Sequence, residues 1–106
     1  MKIKLLPLKT TWPDAVLSQS QNWVLPDIVQ LEELMMSPEH QASFPQSLRN
    51  GVMVSDAFWS STEGTPPYCT HAYSGCLFHD GFWKGDSDHE SEPKENRHRV
   101  VFVYVE

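Results

Sequence analysis

The sequence predicts a single α+β domain, and three observations predict it. The first half carries apolar residues at helical spacing behind recognisable caps. The second half loses that spacing and alternates aromatic, β-branched and turn residues instead. The chain then closes on Arg97-His98-Arg99-Val100-Val101-Phe102-Val103-Tyr104-Val105, its strongest strand signal. With 106 residues, 40% hydrophobic and 11% aromatic, the chain has material for one hydrophobic core. Residues 1–106 are therefore read as one domain.

The elements follow in order. Residues 3–8 read as a first strand, which Pro7 places at a sheet edge. Thr11 can cap a helix and Pro13 suits its first turn, so a short helix is expected over about 12–20. Trp12, Ala15, Val16 and Gln19 mark one face of it. Pro26 holds Leu25 extended. Asp27 followed by Gln30 is a capping box, opening a helix with Ile28, Leu31, Leu34 and Met35 on one face and Ser37-Pro38 as its stop. The Met35-Met36 pair reads as core. Residues 38–50 read as a polar loop with at most one helical turn. Strands are expected at 52–54, 57–61, 71–79 and 97–105, the last central and buried on both faces because its apolar run is continuous. Residues 86–96 read as a polar, mobile loop.

Charge narrows the partners. Eight basic and fourteen acidic residues give −6. Residues 1–53 carry four basic and five acidic groups, and residues 54–106 carry four and nine; six of those nine acids lie between Asp80 and Glu95. Nucleic acid is disfavoured, because phosphate contacts need a basic stripe. A positively charged protein surface or a sugar fits better. No apolar run approaches the ~20 residues of a membrane span. The start, Met1-Lys2-Ile3-Lys4-Leu5-Leu6-Pro7-Leu8, is too broken for a signal peptide, so a cytoplasmic location is expected. Cys69 and Cys76 read as two thiols in a reducing compartment or as a disulfide in an oxidising one.

Several pieces line up in a recognisable order. Thr11-Trp12 with Ala15 comes first, then Trp23-Val24-Leu25-Pro26 running into a helix with Leu31 and Leu34. Phe58-Trp59-Ser60-Ser61-Thr62, Ala72-Tyr73, Phe78, Asp80-Gly81 and the valine-rich closing strand follow. Over nearly the whole chain this resembles the DUF1566, or Lcl C-terminal, domain family. The most specific pieces are W-x-L-P before a helix and F-W-S-S-T after it. Val24 stands where the family has arginine, Gln30 where it has glutamate, and Phe102 and Tyr104 where it tends to arginine. The resemblance implies a C-type-lectin-like fold: two helices flanking a mixed, mostly antiparallel sheet, with long loops on one face. It also implies adhesion or ligand binding rather than catalysis. Expected core residues are Trp12, Trp23, Leu25, Leu31, Leu34, Phe58, Trp59, Val101 and Val103. The Ser-Ser-Thr hydroxyls read as local backbone partners.

The candidate binding segment is His79 to Glu90. Asp80-Gly81 signals a tight turn ahead of Phe82 and Trp83, two adjacent aromatics that cannot share one face of an alternating strand. One is expected to be exposed, and exposed aromatics anchor interfaces. Asp80, Phe82, Trp83, Lys84, Asp86 and Asp88 form the expected contact set.

No metal or other cofactor is expected. Asp86-x-Asp88-x-Glu90-x-Glu92 offers calcium hard oxygen ligands but fails as an EF-hand, with Ser91 at the glycine position and Arg97 at the bidentate-glutamate position. Glu92-Pro93-Lys94 only approximates the lectin tripeptide Glu-Pro-Asn. His79, Asp86, Asp88 and His89 as a transition-metal set are weighed against an exposed polar loop. No catalytic elbow, phosphate loop or HExxH occurs, and Ser60 and Ser61 lie in no G-x-S-x-G, so an enzyme is not expected. The expected function is a non-catalytic binding module for a protein, or else a glycan. The alternative is a small acidic inhibitor or immunity-type protein, from a phage or mobile element, that masks a basic site on its target.

Overall fold

The structure is a computed structural model that describes residues 2–44, 57–64, 70–78, 81–84 and 92–106, with 77–78, 81–84 and 92 as backbone only. The elements are β1 (Ile3–Leu5), α1 (Trp12–Leu17), β2 (Trp23–Val24), α2 (Ile28–Met36), a 3-10 turn (Gln41–Ser43), β3 (Phe58–Glu63), β4 (His71–Phe78), β5 (Gly81–Lys84), β6 (Glu92–Pro93) and β7 (Val101–Tyr104). The architecture is α+β with antiparallel pairing throughout the named strands.

The strands divide into two sheets, where one mixed sheet was expected. One has the order β1-β7-β2; the other runs β3-β4-β5, with β6 also on β4. Arg99 makes the seam between them. Its carbonyl accepts from the Trp59 N–H at 2.9 Å, and its own N–H donates to the Ala57 carbonyl at 3.0 Å, a parallel bridge. One residue earlier, His98 exchanges two backbone hydrogen bonds with Thr10. The strand expected over 97–105 is therefore shorter, because residues 98 and 99 pair with two different segments before β7 begins.

β7 is central, and both its faces are buried. Val101 and Val103 join a core with Leu31, Leu34, Met35, Phe44 and Phe58. Val100 and Phe102 join a second with Ala15, Leu25, Trp59 and Ala72. The period of two along a strand sends alternate residues to opposite cores, and β3 does the same with Phe58 and Trp59. Trp12 and Trp23 are half-buried and pack against the second core.

The helices follow their caps. Thr11 caps α1 by accepting from the Asp14 N–H at 3.4 Å. The helix ends at Leu17, short of residue 20: Ser18 is its C-cap, still donating its N–H to the Asp14 carbonyl, and the Gln19 side chain is drawn to a partner outside the helix. The Ser18 hydroxyl donates back to the Asp14 carbonyl, and the Gln19 Oε1 accepts from the Leu25 N–H at 2.9 Å. Gln19 thus closes the connection to β2 and does not extend the apolar face. In α2 both halves of the Asp27–Gln30 capping box are made, at 2.8 and 3.1 Å. Leu31, Leu34 and Met35 are buried, but Met36 is 42% exposed, so only one of the methionine pair is core. The 3-10 turn delivers buried Phe44 edge-on to Phe58, with ring centres 5.2 Å apart. The strand expected at 52–54 lies outside the described residues.

Candidate functional site

The F-W-S-S-T motif works from within, as a set of ties. The fully buried Trp59 donates its indole N–H to the Thr10 carbonyl at 2.9 Å. The Trp12 indole donates to the Ser60 carbonyl, also at 2.9 Å, so each ring anchors the other's strand or loop. The Ser60 hydroxyl donates to the Tyr73 carbonyl on β4 at 2.7 Å. The Ser61 N–H reaches the Pro26 carbonyl, and the Thr62 hydroxyl accepts from the Ile28 N–H at 2.9 Å. That last bond satisfies one of the orphan donors at the start of α2. The hydroxyls of Ser60 and Thr62 thus hold β4 and α2 to β3, while the two indoles tie in α1 and the loop before it; both hydroxyls are engaged with backbone, which suits a structural role rather than a nucleophilic one.

The expected contact residues divide. Phe82, Trp83 and Lys84 lie in β5, opposite Leu77, Cys76 and Gly75 of β4. Phe82 and Trp83, being consecutive, fall on opposite faces of the ribbon. Trp83 shares its register with buried Cys76. Gly81 pairs with Phe78 and is a strand residue, not the second residue of a turn, since two residues, 79 and 80, join the strands. Asp80, Asp86 and Asp88 lie outside the described residues, as do Cys69, His79 and His89.

What the structure adds is the anchoring of that segment. β5 and β6 occupy the same edge of β4: Lys84 stands opposite Gly75 and Glu92 opposite Ala72. The two anchors are three positions apart on β4, roughly 10 Å at the strand rise, and the seven residues 85–91 join them. The far end of the loop expected over 86–96 is tied down. Pro93 pairs with His71. Lys94 exchanges backbone bonds with Trp12 and Thr70, forms an ion pair with Glu63 at 2.8 Å, and sets its ammonium 4.4 Å from the Trp12 ring centre. Long-range partners therefore order a stretch whose polar composition suggested mobility.

Two groupings escaped the sequence reading. In the first sheet, Tyr104 meets Trp23 edge-on at 5.2 Å, with Lys2 5.5 Å from the tyrosine ring and Lys4 5.9 Å from the tryptophan ring. The lysines alternate with Ile3 and Leu5, which was a legible signal, but their aromatic partners come from β2 and β7. The second is a cleft of about 330 Å³ between the latter part of α2, residues 37–40 and the end of β7. Leu34, Val103 and Val105 line it, with Gln30, Glu33 and His40. The His40 Nε2 is buried without a hydrogen bond and lies 3.7 Å from the Glu39 carboxylate.

His98 is the most perturbed titratable group described. Burial, with the Lys9 ammonium as a second cause, lowers its imidazole from 6.5 to about 4. The ring stands edge-on to Trp59 at 4.6 Å and its Nε2 is buried without a hydrogen-bond partner, so it is neutral at pH 7. Among the described residues, no three His, Cys, Asp or Glu side chains converge on a metal position, and no helix is long and apolar enough to cross a membrane. Comparison of the chain with protein-family models, with curated proteins and with solved structures returns no match.

Proposed function

We propose that this protein is a non-catalytic binding module, a C-type-lectin-like domain of the DUF1566 or Lcl C-terminal kind, that holds a protein partner through its second-half loops. A glycan is the other ligand class for the same surface. The observation that carries this reading is the shared edge of β4. β5 and β6 fix both ends of the 85–91 segment there, and Phe82, Trp83 and Lys84 stand at its base. A loop held at both ends by strand pairing loses less freedom on binding than a free one, which favours recognition. Asp80, Asp86 and Asp88 would supply polarity, and Phe82 or Trp83 contact area. The reading needs no cofactor. Calcium in the acidic loop is an added possibility that calorimetry tests: no heat and no melting shift on adding calcium removes it.

A specific observation also favours a second reading, an acidic inhibitor or immunity-type protein masking a basic site. Six acids fall between Asp80 and Glu95 in a chain of net charge −6. Under that reading the acids dominate the interface, and binding falls steeply with salt.

The discriminating experiment is a pull-down at low and high salt, paired with a glycan array. A protein partner retained at high salt supports the binding-module reading. A partner lost at high salt supports the inhibitor, and glycan binding without a protein partner supports the lectin ligand class. If Phe82→Ala and Trp83→Ala both destabilise the fold yet leave binding intact, the contact set is wrong.

A further inference from the structure

The cleft between α2 and β7 combines an aliphatic interior with acidic groups and an unsatisfied polar atom. Leu34 and Val103 are buried beneath it, and Val105, 41% exposed, extends the apolar surface outward. Gln30 and Glu33, one helical turn apart on α2, stand on one side. Glu39 and His40 stand on another, where the buried His40 Nε2 has no hydrogen-bond partner. No lysine or arginine lines the cleft among the described residues. Its volume of about 330 Å³ is at the lower end of the range for ligand pockets, enough for one long side chain and the backbone that carries it.

We propose that this cleft receives an arginine or lysine side chain presented by a protein partner. The aliphatic stem of such a residue matches Leu34, Val103 and Val105, and its cationic head matches the Glu33 carboxylate. Long basic side chains bury their stems against apolar surface while keeping their heads at polar groups. A guanidinium adds paired donors that a carboxylate accepts side by side. The proposal rests on the protein-partner part of the function proposed above but uses a different surface, formed by the first half of the chain and β7.

The test uses small probes, so its failure is separable from failure of the loop reading. n-Butylguanidinium is titrated into the full chain, with methyl resonances of Leu34, Val103 and Val105 followed by NMR and Val101 as the control. Saturable shifts confined to the cleft methyls are expected. The neutral isostere n-butylurea should bind at least fivefold more weakly, and Glu33→Gln should weaken n-butylguanidinium about threefold, within the range for one exposed charge pair. Nα-Acetyl-arginine N-methylamide, which carries peptide backbone, should bind at least as well as n-butylguanidinium. No saturable shift, equal binding of the urea, or an unchanged affinity in Glu33→Gln overturns the proposal. So does loss of binding when peptide backbone is added, because the cleft then takes a free small cation and not a protein side chain. Glu33 is exposed, so its substitution should leave the spectrum otherwise intact.

Discussion

At the scale of single residues, two half-buried polar groups make opposite predictions. His98 is held neutral against Trp59, with its pKa lowered to about 4 by burial and then by Lys9. Because the folded value lies below the unfolded 6.5, the unfolded chain binds the proton first as pH falls. The stability His98 allows is therefore complete above pH 6.5 and is lost between 6.5 and about 4. At about 1.4 kcal/mol per unit, the loss is at most about 3.5 kcal/mol. Urea midpoints of the wild type and His98→Asn, measured from pH 7 to 4, should converge as pH falls; parallel curves would mean the imidazole is not buried as described. Thr62 is the opposite case, a polar group whose value lies in being satisfied. Thr62→Val leaves the Ile28 N–H without its acceptor and should cost about 1–2 kcal/mol, whereas Thr62→Ser keeps the oxygen and should recover most of it. Equal losses for the two in denaturant melts would show that Thr62 contributes packing instead.

At the scale of elements, legibility depended on how local the cause is. The start of α2 was readable because Asp27 and Gln30 satisfy each other within one turn. Asp27→Ala should accordingly cost about 1 kcal/mol and lower the thermal midpoint, while Glu32→Ala, on the exposed side of the same helix, should leave it within error. β7 was readable because a run such as Val100 to Val103 has no polar face to offer water. The end of α1 was not, because Gln19 leaves the helix to meet Leu25, a partner six residues on. β6 was less visible still: Glu92 and Pro93 have poor strand composition and pair only because β4 presents a free edge at His71 and Ala72. The candidate site shares this limit. Phe82 and Trp83 were singled out from composition and turn chemistry, but the common β4 edge beneath them, the Lys2–Tyr104–Trp23–Lys4 grouping and the α2–β7 cleft all depend on cross-strand register. Register is settled by tertiary packing and not by neighbours in sequence.

At the scale of the whole molecule, the two cores are coupled through strands they share. β7 gives Val101 and Val103 to one and Val100 and Phe102 to the other; β3 gives Phe58 to one and Trp59 to the other. Neither core can loosen without moving a strand that the second core needs, since packed interiors transmit displacement. Arg99 adds a backbone tie between the sheets at that junction. Phe44 offers a clean test. It is buried in the first core against Phe58, whereas Trp12, Trp23 and Trp59 pack in or against the second. Phe44→Ala removes a large ring and should cost about 3–5 kcal/mol. If the strands couple the cores, tryptophan fluorescence and far-ultraviolet circular dichroism of Phe44→Ala shift to the same lower urea midpoint and remain superimposable, the signature of one cooperative transition. If instead the fluorescence transition stays at the wild-type midpoint while the dichroism shows an earlier step, the first core melts alone and α2 with it. The α2–β7 cleft would then be lost under conditions that leave Trp59 buried, making ligand binding at the cleft an independent reporter of which behaviour holds.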